Sequence, residues 1–128
     1  MLIGKSFSFD SSHFLEDHPK CGQIHGHTWT LWVELEGPVD HKTGMVADFQ
    51  KLTTLVKMKV VDRLDHIMLN EFFDTEDTKH LTSLPTCENL AGWIANELAP
   101  SIPEPITKLI ITLQEGKGGY AKHELKLR

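Results

Sequence analysis

The sequence predicts an α+β domain: a four-stranded antiparallel sheet with two helices on one face, in the order β-β-α-α-β-β. Three observations predict it. Apolar and polar residues alternate with period two at both ends of the chain. Between them, apolar residues recur at helical spacing in two segments. Glycine and proline separate the segments, as turns require.

Leu2 to Phe14 forms the first strand, with Lys5, Phe7, Phe9, Ser11 and His13 on one face. Asp17-His18-Pro19-Lys20 reads as loop. Thr28 to Glu36 forms the second strand. Its Trp29, Leu31, Val33 and Leu35 continue the face of His25 and His27, and the opposite face (Thr30, Trp32, Glu34, Glu36) is more polar. Gly37-Pro38 ends the strand. Asp48 caps a helix that carries Phe49, Leu52, Val56 and Val60 on one stripe and reaches about Leu64. Asn70 to Pro85 reads as a long polar loop. Thr86 caps the second helix, lined by Leu90, Ile94 and Leu98 and ended by Pro100. Ile106 to Glu115 is the third strand, Gly116 to Gly119 a turn, and Tyr120 to Leu127 the fourth strand.

The 128 residues suit one domain, spanning 1–128, with a real core. A hydrophobic content of 40% and a charged content of 24% are ordinary for a globular protein. The net charge of -5 argues against nucleic acid or an anionic membrane as the main partner, because phosphate backbones need a basic footprint. No apolar run nears the roughly 20 residues of a spanning helix, and Met1 to Lys5 lacks the form of a secretion signal. Two cysteines, Cys21 and Cys87, fit free thiols in a cytoplasmic protein better than a disulfide scaffold.

The chemistry gathers on Cys21-Gly22-Gln23-Ile24-His25-Gly26-His27. Residues two apart in a strand point to one side, so His25 and His27 aim together, with Gly26 leaving room between them. His13 ends the first strand where the second begins, and in an antiparallel pair those ends meet. Three imidazoles with an open fourth position are a catalytic zinc set, unless the three are unrelated polar residues at strand ends. Cys21 is then a thiolate base or nucleophile, a fourth zinc ligand, or an inert loop thiol. Asp65 is placed to orient His66, unless His66 only complements a helix C-terminus. Glu115 follows the parity of Leu109, Ile111 and Leu113, and points toward the core side or a pocket mouth, unless it is a strand-end carboxylate already in water. Thr86, Glu88 and Asn89 are accounted for by helix capping, with a ligand contact possible there. His18, His41, His80 and His123 have no evident partner, and Cys87 reads as structural.

Together these pieces resemble the 6-pyruvoyltetrahydropterin synthase / 6-carboxytetrahydropterin synthase family. The carriers, in family order, are Phe9 to His13, Cys21 to His27, Gly44 to Phe49, Leu64 to Asn70, Pro85 to Ala91, and Glu115. The short spacing from Cys21 to His25 is similar to the bacterial 6-carboxy-5,6,7,8-tetrahydropterin synthase branch. The resemblance implies the tunnelling fold, assembled as a homohexamer of two stacked trimers with active sites between subunits. It implies 7,8-dihydroneopterin triphosphate as substrate and 6-carboxytetrahydropterin, acetaldehyde and triphosphate as products, on the way to queuosine. It assigns zinc to His13, His25 and His27, proton transfer to Cys21 and to Asp65 with His66, and the pterin N–H edge to Glu115, with Thr86 and Glu88 beside the substrate. Two features depart from the family: Ser11-Ser12 replaces alanines, small enough to be harmless, and Gly-Lys-Gly-Gly follows Glu115 in place of the frequent threonine.

The alternatives are 6-pyruvoyltetrahydropterin synthase activity within the family, a zinc hydrolase with no need of a thiol, and a structural zinc module with Cys21 as fourth ligand.

Overall fold

The computed structural model describes residues 1–74 and 84–128. Two long strands form the centre. β1 (Leu2–His13) pairs antiparallel with β2 (His25–Glu36) along its whole length, from Leu2↔Glu36 to His13↔His25. Both runs are rich in alternating aromatic and branched residues, which fit a half-buried pleated surface. β2 takes in His25 to His27, three residues beyond the expected start.

The first helix begins where expected. The Asp48 side chain accepts from Gln50 N at 2.7 Å and so caps α1 (Phe49–Val56). The helix runs on through a π-type turn, Lys57–Val61, and a closing turn, Asp62–Leu64. The second long helix is α3 (Cys87–Leu98), capped by Thr86 and continued by a 3-10 turn, Ala99–Ser101. β4 (Lys108–Glu115) and β5 (Gly119–Lys126) close the chain as an antiparallel hairpin. Gly116 turns it at φ +61°, a conformation that glycine adopts without penalty.

The sheet has five strands, in the order β3-β1-β2-β4-β5, and not the four expected. The addition is β3 (Ile67–Met68), which runs parallel to the end of β1 through Ser11↔Ile67 and Ser12↔Met68. Two residues are too few to show a period, so their pairing was invisible in the sequence. The start of the expected Asn70–Pro85 loop is also ordered otherwise. A helical turn, α2 (Leu69–Phe72), buries Leu69 at its start, and Phe73 just after it is buried too. Residues 75–83 of that stretch, and His80 with them, lie outside the described residues.

One core fills the space between the helices and the sheet. Leu52, Val56, Val60 and Leu64 meet Leu90, Ile94 and Leu98 over Trp29, Leu31, Leu109 and Leu113. Burying such side chains stabilises the fold by about 1.5–3 kcal/mol each. Arg63 joins the helices, with Nη1 3.0 Å from Glu97 Oε2 and its guanidinium over the rings of Phe72 and Trp93. Among the described residues no helix is long and apolar enough to cross a membrane.

Candidate functional site

The register that builds the sheet also builds the site. His13 stands directly opposite His25, and Ser11 opposite His27, so three imidazoles crowd one end of the core face. Their ring centres lie 4.6–5.2 Å apart, all edge to face. Trp29 is fully buried under them, 5.2 Å from His13 and 5.6 Å from His27. Gly26 is not what gives them room: it alternates to the other face, where a Cβ would make only an ordinary 3.9 Å contact with Ser11 O.

Backbone carbonyls fix which ring nitrogens are bare. A carbonyl can only accept, so His13 Nδ1–H donates to Pro85 O at 2.9 Å, and His25 Nδ1–H donates to Gln23 O at 2.7 Å. In the neutral ring of each, Nε2 then keeps its lone pair. Glu115 completes the group, because β2–β4 pairing sets it opposite Trp29 on the same face. Its Oε1 lies 3.0 Å from His13 Nε2 and 2.9 Å from His27 Nε2. The angles are not those of hydrogen bonds, and both buried Nε2 atoms remain without a hydrogen-bond partner. Burial, foremost, holds His27 below the usual histidine range. Glu115 opposes that shift, and the neighbouring imidazoles add to it. Neutral rings with bare, convergent nitrogens beside a carboxylate are a donor set for a metal ion. One ligand atom from each of His13, His25, His27 and Glu115 lies within 4.8 Å of the others.

Cys21 is not a member of that group. It is half-buried on the loop between β1 and β2, and its thiol is free. The other cysteine, Cys87, donates its S–H to Leu113 O at 3.0 Å, and burial, above all, pushes its thiol up to about 11.

Asp65 and His66 form a second group. His66 adopts φ +60°, unusual for a side-chain-bearing residue, and its N–H donates to Asp10 O at 2.6 Å. Asp65 Oδ1 accepts from Asp10 N at 2.8 Å, and its Oδ2 lies 2.9 Å from His66 Nδ1. The Asp10 N–H, followed by His66, holds the Asp65 carboxyl below the usual range. The hydrogen bond and charge of Asp65 raise His66. Ser11 Oγ donates to Leu64 O just before the corner. Ser11 is thus more than a harmless substitute for alanine: its hydroxyl ties the corner to β1. His66 shares a shallow cavity of about 530 Å³ with Asp10, Ser12, Gly26 and Thr28, which alternate away from His13 and His25, and with Ser11 and His27 of the imidazole face. The group of Asp10, Asp65 and His66 and the imidazole group share no ligand residue.

The remaining expected positions are simpler. Thr86 Oγ1 accepts from Asn89 N at 3.1 Å as a cap, and Glu88 is exposed in the first turn. Sequence reasoning missed the structural parts of His18, whose ring accepts two backbone N–H groups, and of Asn70, whose amide exchanges two hydrogen bonds with the Phe14 backbone. His18 is followed by a turn-forming proline, the one local signal that was available.

Comparison with known proteins agrees with this geometry. The sequence model described as 6-pyruvoyl tetrahydropterin synthase matches residues 2–125. A 6-carboxy-5,6,7,8-tetrahydropterin synthase of Haemophilus influenzae is 34% identical over 114 residues, covering 75% of this chain and 80% of that protein. A dihydroneopterin monophosphate aldolase of Pyrococcus furiosus is 36% identical over 109 residues, covering 85% and 84%. The solved 6-pyruvoyl tetrahydropterin synthase of Caenorhabditis elegans superposes with a TM-score of 0.80 at 25% identity, covering 98% of this chain and 96% of that one. The chain belongs to the 6-pyruvoyl tetrahydropterin synthase family.

Proposed function

We propose that this protein is a zinc-dependent 6-carboxy-5,6,7,8-tetrahydropterin synthase. It would convert 7,8-dihydroneopterin triphosphate to 6-carboxytetrahydropterin, acetaldehyde and triphosphate in the route to queuosine. The observation that carries the reading is the convergence of His13, His25 and His27 at one end of a buried face, with carbonyls on Nδ1 of His13 and His25 and with Nε2 of His13 and His27 left without a hydrogen-bond partner. The Haemophilus relative supplies the particular reaction.

His13, His25 and His27 would hold the ion, zinc first on ligand type. When bound, zinc supplies Lewis acidity toward substrate oxygens. Cys21, as thiolate, accepts the proton from the carbon being activated. Asp65 holds His66 Nδ1, which leaves Nε2 as the atom that carries a proton to or from substrate. Glu115 accepts from the N–H edge of the pterin. Its Oε1 lies against His13 and His27 in the structure, so this role requires the side chain to turn. Thr86 and Glu88 stand at the helix start behind His13, with Thr86 occupied by its cap. Asp65 and His66 would serve the site of a neighbouring copy, as the family's sites between subunits imply, while His27 reaches the cavity that His66 lines. A trimer-based hexamer supplies that neighbour and covers the free edges of β1 and β5.

The Pyrococcus relative favours a second reading, aldolase cleavage of dihydroneopterin monophosphate. The test is incubation with the triphosphate and with the monophosphate, and identification of the products. Acetaldehyde with 6-carboxytetrahydropterin from the triphosphate supports the first reading. A 6-pyruvoyl product, or cleavage of the monophosphate alone, rejects it.

A further inference from the structure

One side chain organises the loop that carries Cys21. The loop leaves β1 at His13 and returns to β2 at His25, so its shape decides where the thiol stands relative to the imidazoles. Leu15 N–H donates to Cys21 O at 2.6 Å and closes it. Within it, the His18 ring turns back on its own chain. His18 Nδ1 accepts from Lys20 N at 3.2 Å and from Cys21 N at 2.9 Å. His18 O accepts from Gly22 N at 3.0 Å, so backbone and ring both grip the residues around the thiol. The fit is close: a Cβ on Gly22 would fall 2.6 Å from His18 O.

A ring nitrogen that accepts two N–H groups must carry a lone pair, so the His18 proton sits on Nε2. The ring itself is exposed and is no part of the imidazole group of His13, His25 and His27. No packing duty in the core accounts for it. We infer that His18 is the positioning residue for Cys21: its neutral imidazole clamps the amides of residues 20 and 21 and so fixes the backbone from which the thiol reaches the reacting carbon. This rests on the reading of Cys21 as the proton acceptor. The effect falls on rate, because a misplacement of about 1 Å at a reacting group can cost on the order of 10²-fold. Substrate affinity and metal content are set elsewhere.

The test compares His18→Ala, which removes the acceptor, with His18→Asn, whose side-chain oxygen can accept from the N–H two residues on. Amide hydrogen exchange at Lys20 and Cys21 reads the clamp directly, and kcat, KM and zinc content are measured on the same samples. In His18→Ala both amides should exchange several-fold faster. Its kcat should fall roughly 10–100-fold with KM and zinc little changed. His18→Asn should recover most of both. Unchanged exchange, or faster exchange with a normal kcat, overturns the assignment. Cys21→Ala is run alongside. If it keeps full turnover, the thiol role fails and that of His18 fails with it. If Cys21→Ala is inactive while His18→Ala is normal, only the role of His18 falls.

Discussion

Zinc should raise the melting temperature of the metal-stripped protein, and His25 should be needed for most of the rise. His25 is the cleanest ligand to remove. His13 is fully buried, and its loss would also strand the Pro85 carbonyl, at a cost of about 1–3 kcal/mol whether or not metal is present. His25 is only half-buried and holds Gln23 O in an exposed turn. An ion that binds only the folded state, at a hundred times its dissociation constant, adds about 2.7 kcal/mol. For 128 residues, an unfolding entropy of about 2.1 cal/mol/K per residue makes each kcal/mol worth nearly 4 °C. The expected rise is therefore about 10 °C. If losing His25 weakens binding about a hundredfold, the same zinc concentration leaves about 0.4 kcal/mol, a rise of 1–2 °C. The assay is calorimetry at fixed protein concentration, with and without zinc, on wild type and His25→Ala. A wild-type melting point indifferent to zinc, or an equal rise in the variant, would refute the argument.

Other expectations follow from the same geometry. Asp65→Asn removes the charge that raises His66, so His66 should lose its proton at lower pH than in wild type; an unmoved NMR titration of that ring would deny the coupling. Glu115→Gln replaces an acceptor with a donor and should weaken pterin binding by roughly 1–3 kcal/mol without changing zinc content; equal calorimetric affinities for sepiapterin would remove Glu115 as the anchor. Coexpressed Cys21→Ala and His66→Ala chains should regain activity that neither shows alone, because mixed oligomers contain sites with both groups intact. No recovery in verified mixed oligomers would place both groups in one chain's site.

Much of this arrangement could be read from the chain because it repeats. The alternation Phe7, Phe9, Ser11, His13 and His25, His27, Trp29 carries both the core face and the imidazoles, so one periodic signal predicts sheet and donor set together. Glu115 was found by the same parity, and its pairing opposite Trp29 bears the direction out. What escaped is held by single, non-repeating contacts. β3 is two residues long, the His18 clamp is one ring nitrogen, and the Ser11 tie is one hydroxyl. Such contacts depend on where the chain returns in space, which no local window contains. The contact of Glu115 with the imidazoles was missed for the same reason, since parity gives a direction and not a distance.

The alternation also explains how one short segment can serve two places. In β1, His13 points with Phe9 and Ser11 into the helix-covered face, while Asp10 and Ser12 point the other way. Asp10 fastens Asp65 and His66 through its backbone, so this pair hangs on the same strand as His13 and lines, with Ser12, His27 and Thr28, the cavity on that side. Moving β1 by one residue against β2 would exchange the faces and destroy both groups at once. Their positions are thus locked to a single register, which Phe7, Phe9 and Trp29 enforce by burial. A second copy that presents its imidazoles to this cavity side would meet an Asp65–His66 pair already tied to β1. The ordering cost of bringing proton donor and acceptor together would then fall on folding and assembly and not on each catalytic cycle.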